Sequence, residues 1–192
     1  MGARTKVEGV PAPFTRAVEE VERAVARPEL ELGQMPAPQR IAPFAHAITA
    51  DVIVADTEVG TGRFILLHDP AGNDAWNGTF RCVTFARADI EHEMAIDPLI
   101  TQVGWSWLTD ALGDAGAEHT NTAGSITVVR SEGFGAMAED ESDAQIEVRA
   151  SWTPHGGLDA HASAWMELLG KLAGLPPLAP GVVPLTRRRT SR

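Results

Sequence analysis

The sequence predicts one α+β domain: a five-stranded antiparallel sheet with helices packed on one face, in the order α-βββ-α-ββ-α. Three observations predict this class. Residues 144–152 alternate strictly between apolar and polar side chains, the pattern of a strand with one buried and one solvated face. Turn-forming residues separate further segments rich in short and β-branched side chains. Three other segments repeat apolar residues every three or four positions, as amphipathic helices do.

The first helix is predicted to follow Pro13, because four apolar residues recur at helical spacing: Phe14, Val18, Val21 and Val25. Pro28 ends this helix, since proline lacks an amide hydrogen and clashes with the preceding turn. Further prolines up to Pro43 predict an extended connector that runs over the surface.

Three strands in succession are predicted between residues 44 and 88. The first covers residues 44–56, and Gly60 and Gly62 allow a hairpin turn into the second, residues 63–68. The turn signal in residues 69–73 separates the second strand from the third, residues 78–88. Three consecutive strands of this kind predict an antiparallel meander.

The second half of the domain is predicted as helix, hairpin and helix. The central helix begins at Asp97-Pro98, because aspartate accepts unpaired amides of the first turn and proline fits the first position. A hairpin of residues 124–131 and 144–152 follows, and its loop carries the acidic run Glu139-Asp140-Glu141. The last helix covers residues 158–172, and the domain ends at Gly174. Residues 175–192 are predicted to form a flexible, proline-rich tail.

Composition and charge exclude several classes of protein. The single cysteine, Cys82, excludes an intramolecular disulfide and favours a reducing compartment, so we expect a cytoplasmic protein. Residues 1–10 lack the apolar core of a signal peptide, and no apolar run has the length of a membrane span. The net charge of −10 disfavours nucleic-acid binding by the folded domain. The tail residues Arg187, Arg188 and Arg189 are the candidate exception, either solvated or in contact with an acidic partner or nucleic acid.

No familiar catalytic motif is present, and three histidines remain as candidates. A phosphate-binding loop, a G-x-G-x-x-G turn and a G-x-S-x-G elbow are all absent, and neither a metal nor a cofactor is predicted. His92 lies between two glutamates, where it either belongs to a solvated junction or acts in a site. His155 and His161 flank a glycine-rich junction, where each is either a packing residue or a catalytic or zinc-binding residue.

Two tryptophans are candidates for a binding surface. Trp107 faces the apolar stripe of the central helix, whereas Trp105 lies about 160° away around the helix. One helix cannot bury both against a single sheet. Trp105 therefore contacts another segment, such as the connector, or anchors a partner protein. Trp76, in a turn-rich loop, has the same two interpretations.

Four segments carry a resemblance to a known family: residues 10–21, 76–83, 97–108 and 124–152. Together they resemble an uncharacterised actinobacterial family, a domain of unknown function, which implies a bacterial cytoplasmic protein and assigns no catalytic residue. The element order is also similar to that of type III secretion chaperones, which dimerise and bind polypeptides. The leading hypothesis is a non-enzymatic protein-binding or chaperone-like module that forms a homodimer. The alternative is a small-ligand-binding protein or enzyme with a histidine–carboxylate site between sheet and helices.

Overall fold

The computed structural model describes residues 9–137 and 143–177, so the acidic run at residues 139–141 and the tail from residue 178 lie outside the described residues. Within these ranges the helices are α1 (Ala12–Arg23), α2 (His92–Ala95), α3 (Ile100–Asp114) and α4 (Leu158–Leu172). The strands are β1 (Leu30–Gln34), β2 (Phe44–Val54), β3 (Thr57–Asn73), β4 (Gly78–Asp89), β5 (His119–Arg130) and β6 (Ala144–Pro154). They form one antiparallel sheet in the order β1-β2-β3-β4-β6-β5.

A mixed α and β structure on a single antiparallel sheet is confirmed, but the prediction of five strands is wrong. The sixth strand is β1, which lies inside the predicted connector and pairs with β2 from Leu30↔Val52 to Gln34↔Ile48. Leu30 and Leu32 alternate with Glu31, but the strand has only five residues and Leu32 is 44 % exposed, so the alternation is too short to predict a strand. Its five residues contain no proline, and their amides are therefore available to a neighbouring strand at the sheet edge.

The predicted element order is also wrong around α2, a one-turn helix in the segment that we expected to be a plain junction. The central helix α3 then begins at Ile100, two residues after Pro98, the predicted first position. Asp97 still accepts an amide at this start, because its Oδ1 lies 2.8 Å from the backbone nitrogen of Leu99.

The β2–β3 turn does not use the predicted glycines. Ala55 and Asp56 make the turn with positive φ angles of 49° and 61°. Gly60 and Gly62 lie within β3, on the side that faces the helices. A Cβ atom on Gly62 would lie 2.6 Å from Cδ2 of Leu169 in α4, so this glycine permits close packing of helix on sheet.

One hydrophobic core lies between the sheet and the three long helices. From the central strands it takes Phe64, Leu66, Ala86, Val148 and Trp152, all fully or almost fully buried. Helix α4 packs over β3 and β4, and α3 packs over β5 and β6. None of the described helices is long and apolar enough to cross a membrane. Among the described elements, no long helix packs on the other face of the sheet, which is formed by the alternate strand residues.

Candidate functional site

His155 and His161 meet at the end of β6, where a hydrogen-bond chain fixes His161. The indole Nε1 of Trp152 donates to Nδ1 of His161 at 3.0 Å, and Nε2 of His161 donates to the backbone carbonyl of His155 at 3.2 Å. His161 is fully buried. Both of its ring nitrogens are occupied, so this arrangement favours a packing role for His161 over a metal-binding or catalytic one.

His92 lies far from the other two candidate histidines. It belongs to α2, which follows the end of β4 that pairs with Gln145, whereas His155 follows Pro154 at the other end of β6. Nine residues of extended strand separate these ends by about 30 Å. Within residues 9–137 and 143–177 no three His, Cys, Asp or Glu side chains are grouped closely enough to hold a metal ion. The structure therefore does not bring the three candidates together.

The buried His161 and the half-buried His46 make the stability of the fold sensitive to acid. Burial lowers the pKa of His161 below its ordinary value of 6.5, and it lowers the pKa of His46 too, although Glu22 opposes the shift at His46. The unfolded chain therefore takes up protons at these side chains more readily than the folded chain does. Their contribution to stability is complete above a pH of about 6.5 and is lost as the pH falls below it.

We expect the free energy of unfolding, measured by urea titration, to fall between about pH 7.5 and pH 5. The variants His161→Gln and His46→Gln should each show a smaller fall, because glutamine does not titrate. Equal falls in the wild-type protein and in both variants would show that neither histidine is responsible.

His68 lies in an aromatic cluster. Its ring stacks on Phe80, with centroids 4.1 Å apart, and also on Phe14 of α1 at 5.8 Å. Nδ1 lies 2.9 Å from the carbonyl of Thr79, whereas the buried Nε2 has no partner among the described residues. The rings come from separate elements, so no local sequence pattern could have revealed the cluster.

A cavity of about 280 Å³ lies between α3, α4 and the segment that follows α1, from which Val25 and Arg27 line it. Its one buried charged side chain is Arg27, which donates to a carboxylate oxygen of Glu29 at 3.0 Å and to the carbonyl of Pro176 at 3.1 Å. None of the three candidate histidines lines it. The volume is near the lower end of the range for small-ligand pockets, about 300–1,000 Å³. Since the charge of Arg27 is already paired, the cavity offers a ligand little unused polar chemistry.

Trp105 lies on the flank of α3 that faces away from α4. Asp114 marks the opposite flank, because its Oδ2 lies 3.3 Å from Nζ of Lys171 in α4. The nine residues between Trp105 and Asp114 turn the helix by about 180°. Since α3 covers β5 and β6, Trp105 is next to β5, the last strand of the sheet, and its side chain is half-buried.

The connector and Trp105 lie at opposite edges of the sheet. The connector leads from β1 into β2 at one edge of the sheet, and β5 forms the other edge. Five strand spacings separate these edges, a distance of about 24 Å. This separation excludes the connector as the neighbour of Trp105, whose half-buried side chain packs against the hydrophobic core. The role of Trp105 as a partner anchor stays a prediction.

The β5 edge has an irregular register between Thr120 and Ala123, but from there to Val129 it lacks the charges and prolines that commonly prevent a strand from pairing with another chain. Residues 120–129 include no charged residue and no proline. Val129 is 49 % exposed, and the helix-facing Ile126 and Val128 are only half-buried. Natural edge strands are commonly protected by charges, prolines or a covering segment. Among the described residues, no strand pairs with the outer side of β5.

Trp76 lies beside the same edge. It belongs to the turn between β3 and β4, and its carbonyl accepts hydrogen bonds from Nδ2 of Asn121 at 3.0 Å and from the hydroxyl of Thr153. The ring of Trp76 is half-buried. Its backbone therefore ties the β3–β4 turn to β5 and β6, and both candidate tryptophans are on the β5 side of the molecule.

A comparison with known proteins identifies a family but no activity. The family model described as "Protein of unknown function (DUF3000)" matches residues 10–183. No curated protein and no solved structure matches the chain. Because the match extends over most of the 192 residues, the chain belongs to the DUF3000 family of proteins of unknown function.

Proposed function

We propose that this protein is a non-enzymatic, cytoplasmic protein-binding module that forms a homodimer by pairing its β5 edge with β5 of a second copy. The observation that carries the proposal is the uncharged edge of β5, which no strand covers among the described residues, with Trp105 beside it. An exposed strand edge offers a row of backbone donors and acceptors to another chain. Aromatic side chains such as Trp105 are enriched among the residues that dominate binding energy.

Charge favours this edge over other surfaces as the contact between two copies. Each copy carries a net charge of −10, so two copies repel each other over most of their surfaces. Residues 120–129 carry no charge and bring none into contact. Antiparallel pairing of two identical strands is also self-complementary about a two-fold axis. The helices of both copies then lie on one side of a continuous sheet, and Trp105 of each copy lies close to the new contact.

A second apolar surface supports binding of further polypeptide. Ile96, Leu99 and Val103 follow one another at spacings of three and four residues, and they are 55 %, 54 % and 38 % exposed. Exposed apolar residues that are contiguous commonly mark a protein-binding surface. A chaperone-like role would use this stripe for a client polypeptide, leaving the β5 edge for the dimer.

The homodimer is tested by sedimentation velocity or light scattering on the full chain. We expect the wild-type protein to be a dimer and Val129→Lys to raise the dissociation constant by about tenfold or more, because a lysine on an edge strand opposes pairing. Trp105→Ala should weaken the dimer to a similar degree. Leu32→Lys is the matched control, since it places the same charge at a 44 % exposed leucine on the opposite edge strand.

The control variant should remain dimeric. A monomeric wild-type protein, or a dimer that Leu32→Lys weakens and Val129→Lys does not, would rule out pairing at β5. The alternative function, a small-ligand-binding protein or enzyme, is favoured instead if native mass spectrometry finds a small molecule that copurifies with the protein. Such a ligand should be lost in the variant Met166→Trp, because the larger side chain would fill the cavity that Arg27, Ala111 and Met166 line.

A further inference from the structure

The chain leaves the described part of the fold at the rim of the cavity between α3, α4 and the segment that follows α1. Helix α4 ends in a glycine turn: Gly174 has a positive φ of 68°, and the amide of Leu175 donates to the carbonyl of Gly170 at 2.9 Å. The side chain of Leu175 packs against the core. The carbonyl of Pro176 then accepts from Arg27, a residue that lines the cavity, at 3.1 Å. The next segment of the chain therefore starts beside this cavity.

The lining of the cavity suits an apolar occupant. Ala111 and Ala115 of α3 and Met166 of α4 line it, together with Val25, whose side chain is 51 % exposed. The guanidinium group of Arg27 already donates to a carboxylate and to a carbonyl. Aliphatic side chains that fill a recess of this kind are removed from water without leaving a polar group unpaired.

The sequence that follows the described residues supplies such side chains. Residues 178–185 read Leu-Ala-Pro-Gly-Val-Val-Pro-Leu and carry no charge. Val182 is five residues past Pro177, so an extended chain can place it up to about 17 Å away. Because Pro176 already contacts a lining residue, this reach is enough to bring Val182 and Val183 into the cavity. The family match continues to residue 183, so both valines belong to the domain that the family shares.

Charge also favours contact between residues 178–192 and the helices. This segment carries four arginines and no acidic side chain. Helices α1, α3 and α4 carry seven acidic and three basic side chains. Two of the acids, Asp114 and Glu167, line the cavity, and Glu167 has no ion pair among the described residues. Opposite charges at this rim attract the arginines that follow the apolar segment.

We propose that residues 178–192 fold back over the helices of the same chain and place Val182 and Val183 in the cavity. The arginines Arg187, Arg188 and Arg189 then lie over the acidic helices, as part of the folded surface. The inference goes beyond the proposed homodimer, because none of the residues that line the cavity belongs to β5.

Disulfide cross-linking in the full chain tests this proposal. The double variant Ser163→Cys, Val183→Cys pairs a position in the cavity lining with one of the two valines, and diamide is the oxidant. The native Cys82 does not interfere, because it is fully buried and burial raises the pKa of its thiol. We expect a disulfide within single molecules, seen as cross-linked tryptic peptides from a product of monomer mass.

Two further changes separate docking in the cavity from simple proximity of the chain end. Adding Val182→Asp to the double variant should slow cross-linking by about tenfold or more, because a carboxylate resists transfer into an apolar cavity. Met166→Trp should slow it to a similar degree, because the larger side chain fills the cavity. Thr190→Asp is the matched control: it adds the same charge outside the apolar segment, and it should change the rate by less than about twofold.

Three outcomes would overturn the proposal. They are the absence of a disulfide, a rate that Val182→Asp leaves unchanged, and a product of dimer mass, which would place the segment on a second copy. Circular dichroism should show that Met166→Trp is folded. If that variant does not fold, Val182→Asp still decides, because it leaves every described residue unchanged.

Discussion

Replacing Trp152 with leucine is expected to lower the free energy of unfolding by about 3–5 kcal/mol. Trp152 is fully buried on β6 opposite Cys82, and its ring centroid lies 6.2 Å from that of Phe64. Leucine leaves part of this volume empty, and the surrounding side chains relax only partly. It also removes the indole donor of His161, whose buried Nδ1 then has no partner. An unsatisfied buried polar atom adds about 1–3 kcal/mol to the cost.

Urea or guanidinium titration measures this effect, with Trp107→Leu as the control. Trp107 is half-buried on α3, so the same substitution there should cost much less. The variant Trp152→Phe helps to separate the two causes, because it loses the same hydrogen bond to His161 but leaves less of the buried volume empty. Equal losses for Trp152→Leu and Trp107→Leu would contradict the prediction.

Replacing Gly62 with alanine is expected to destabilise the protein by about 1–3 kcal/mol. The new Cβ atom would lie 2.6 Å, 3.0 Å and 3.2 Å from Cδ2, Cδ1 and Cγ of Leu169. Rotation of the leucine end does not relieve all three contacts, because Cγ stays near the backbone and Leu169 is 1 % exposed. Helix α4 must therefore move away from β3, which loosens the core.

A double-mutant cycle tests the cause of this loss. In a Leu169→Ala background, Gly62→Ala should cost much less, because the obstructing atoms are gone. Gly113→Ala is the control: it adds the same methyl group on α3, where nothing lies within 4 Å of the new atom. This control should be neutral or slightly stabilising, since alanine is a better helix former than glycine. If Gly62→Ala costs the same in both backgrounds, contact with Leu169 is not the reason.

Elements with a strong local pattern were predicted well from the sequence. The apolar–polar alternation of residues 144–152 corresponds to β6, and the helical spacing of residues 158–172 corresponds to α4. Each pattern arises because the element buries one face against the core. Strand β1 is a five-residue edge strand in which only Leu30 is buried, so its pattern of apolar residues is weak. Its position depends on pairing with β2. Gly60 and Gly62 were misread as turn residues because a glycine needed for close packing resembles one needed for a turn.

The candidate site depends on the tertiary structure more than the individual helices and strands do. The sequence identified Trp105 as a residue that its own helix could not bury, but the strand order showed that it lies beside the β5 edge. The sequence did not show that both ring nitrogens of His161 are hydrogen-bonded. The sequence also did not reveal that Arg63 and Arg149 lie on either side of Phe85 in the sheet. These arginines are 22 and 64 residues away from Phe85 in the chain.

The sequence by itself determined the fold class, most of the helices and strands, and which side of elements such as β6 and α4 is buried. These properties follow from the periodicity of apolar residues, which is a local property of the chain. Only the tertiary structure decided that β6 lies between β4 and β5, and so which strand is left at the edge. It also decided which side chains are neighbours across strands. Strand order and register depend on how distant segments fit around one shared core, and that fit is not encoded in any single segment.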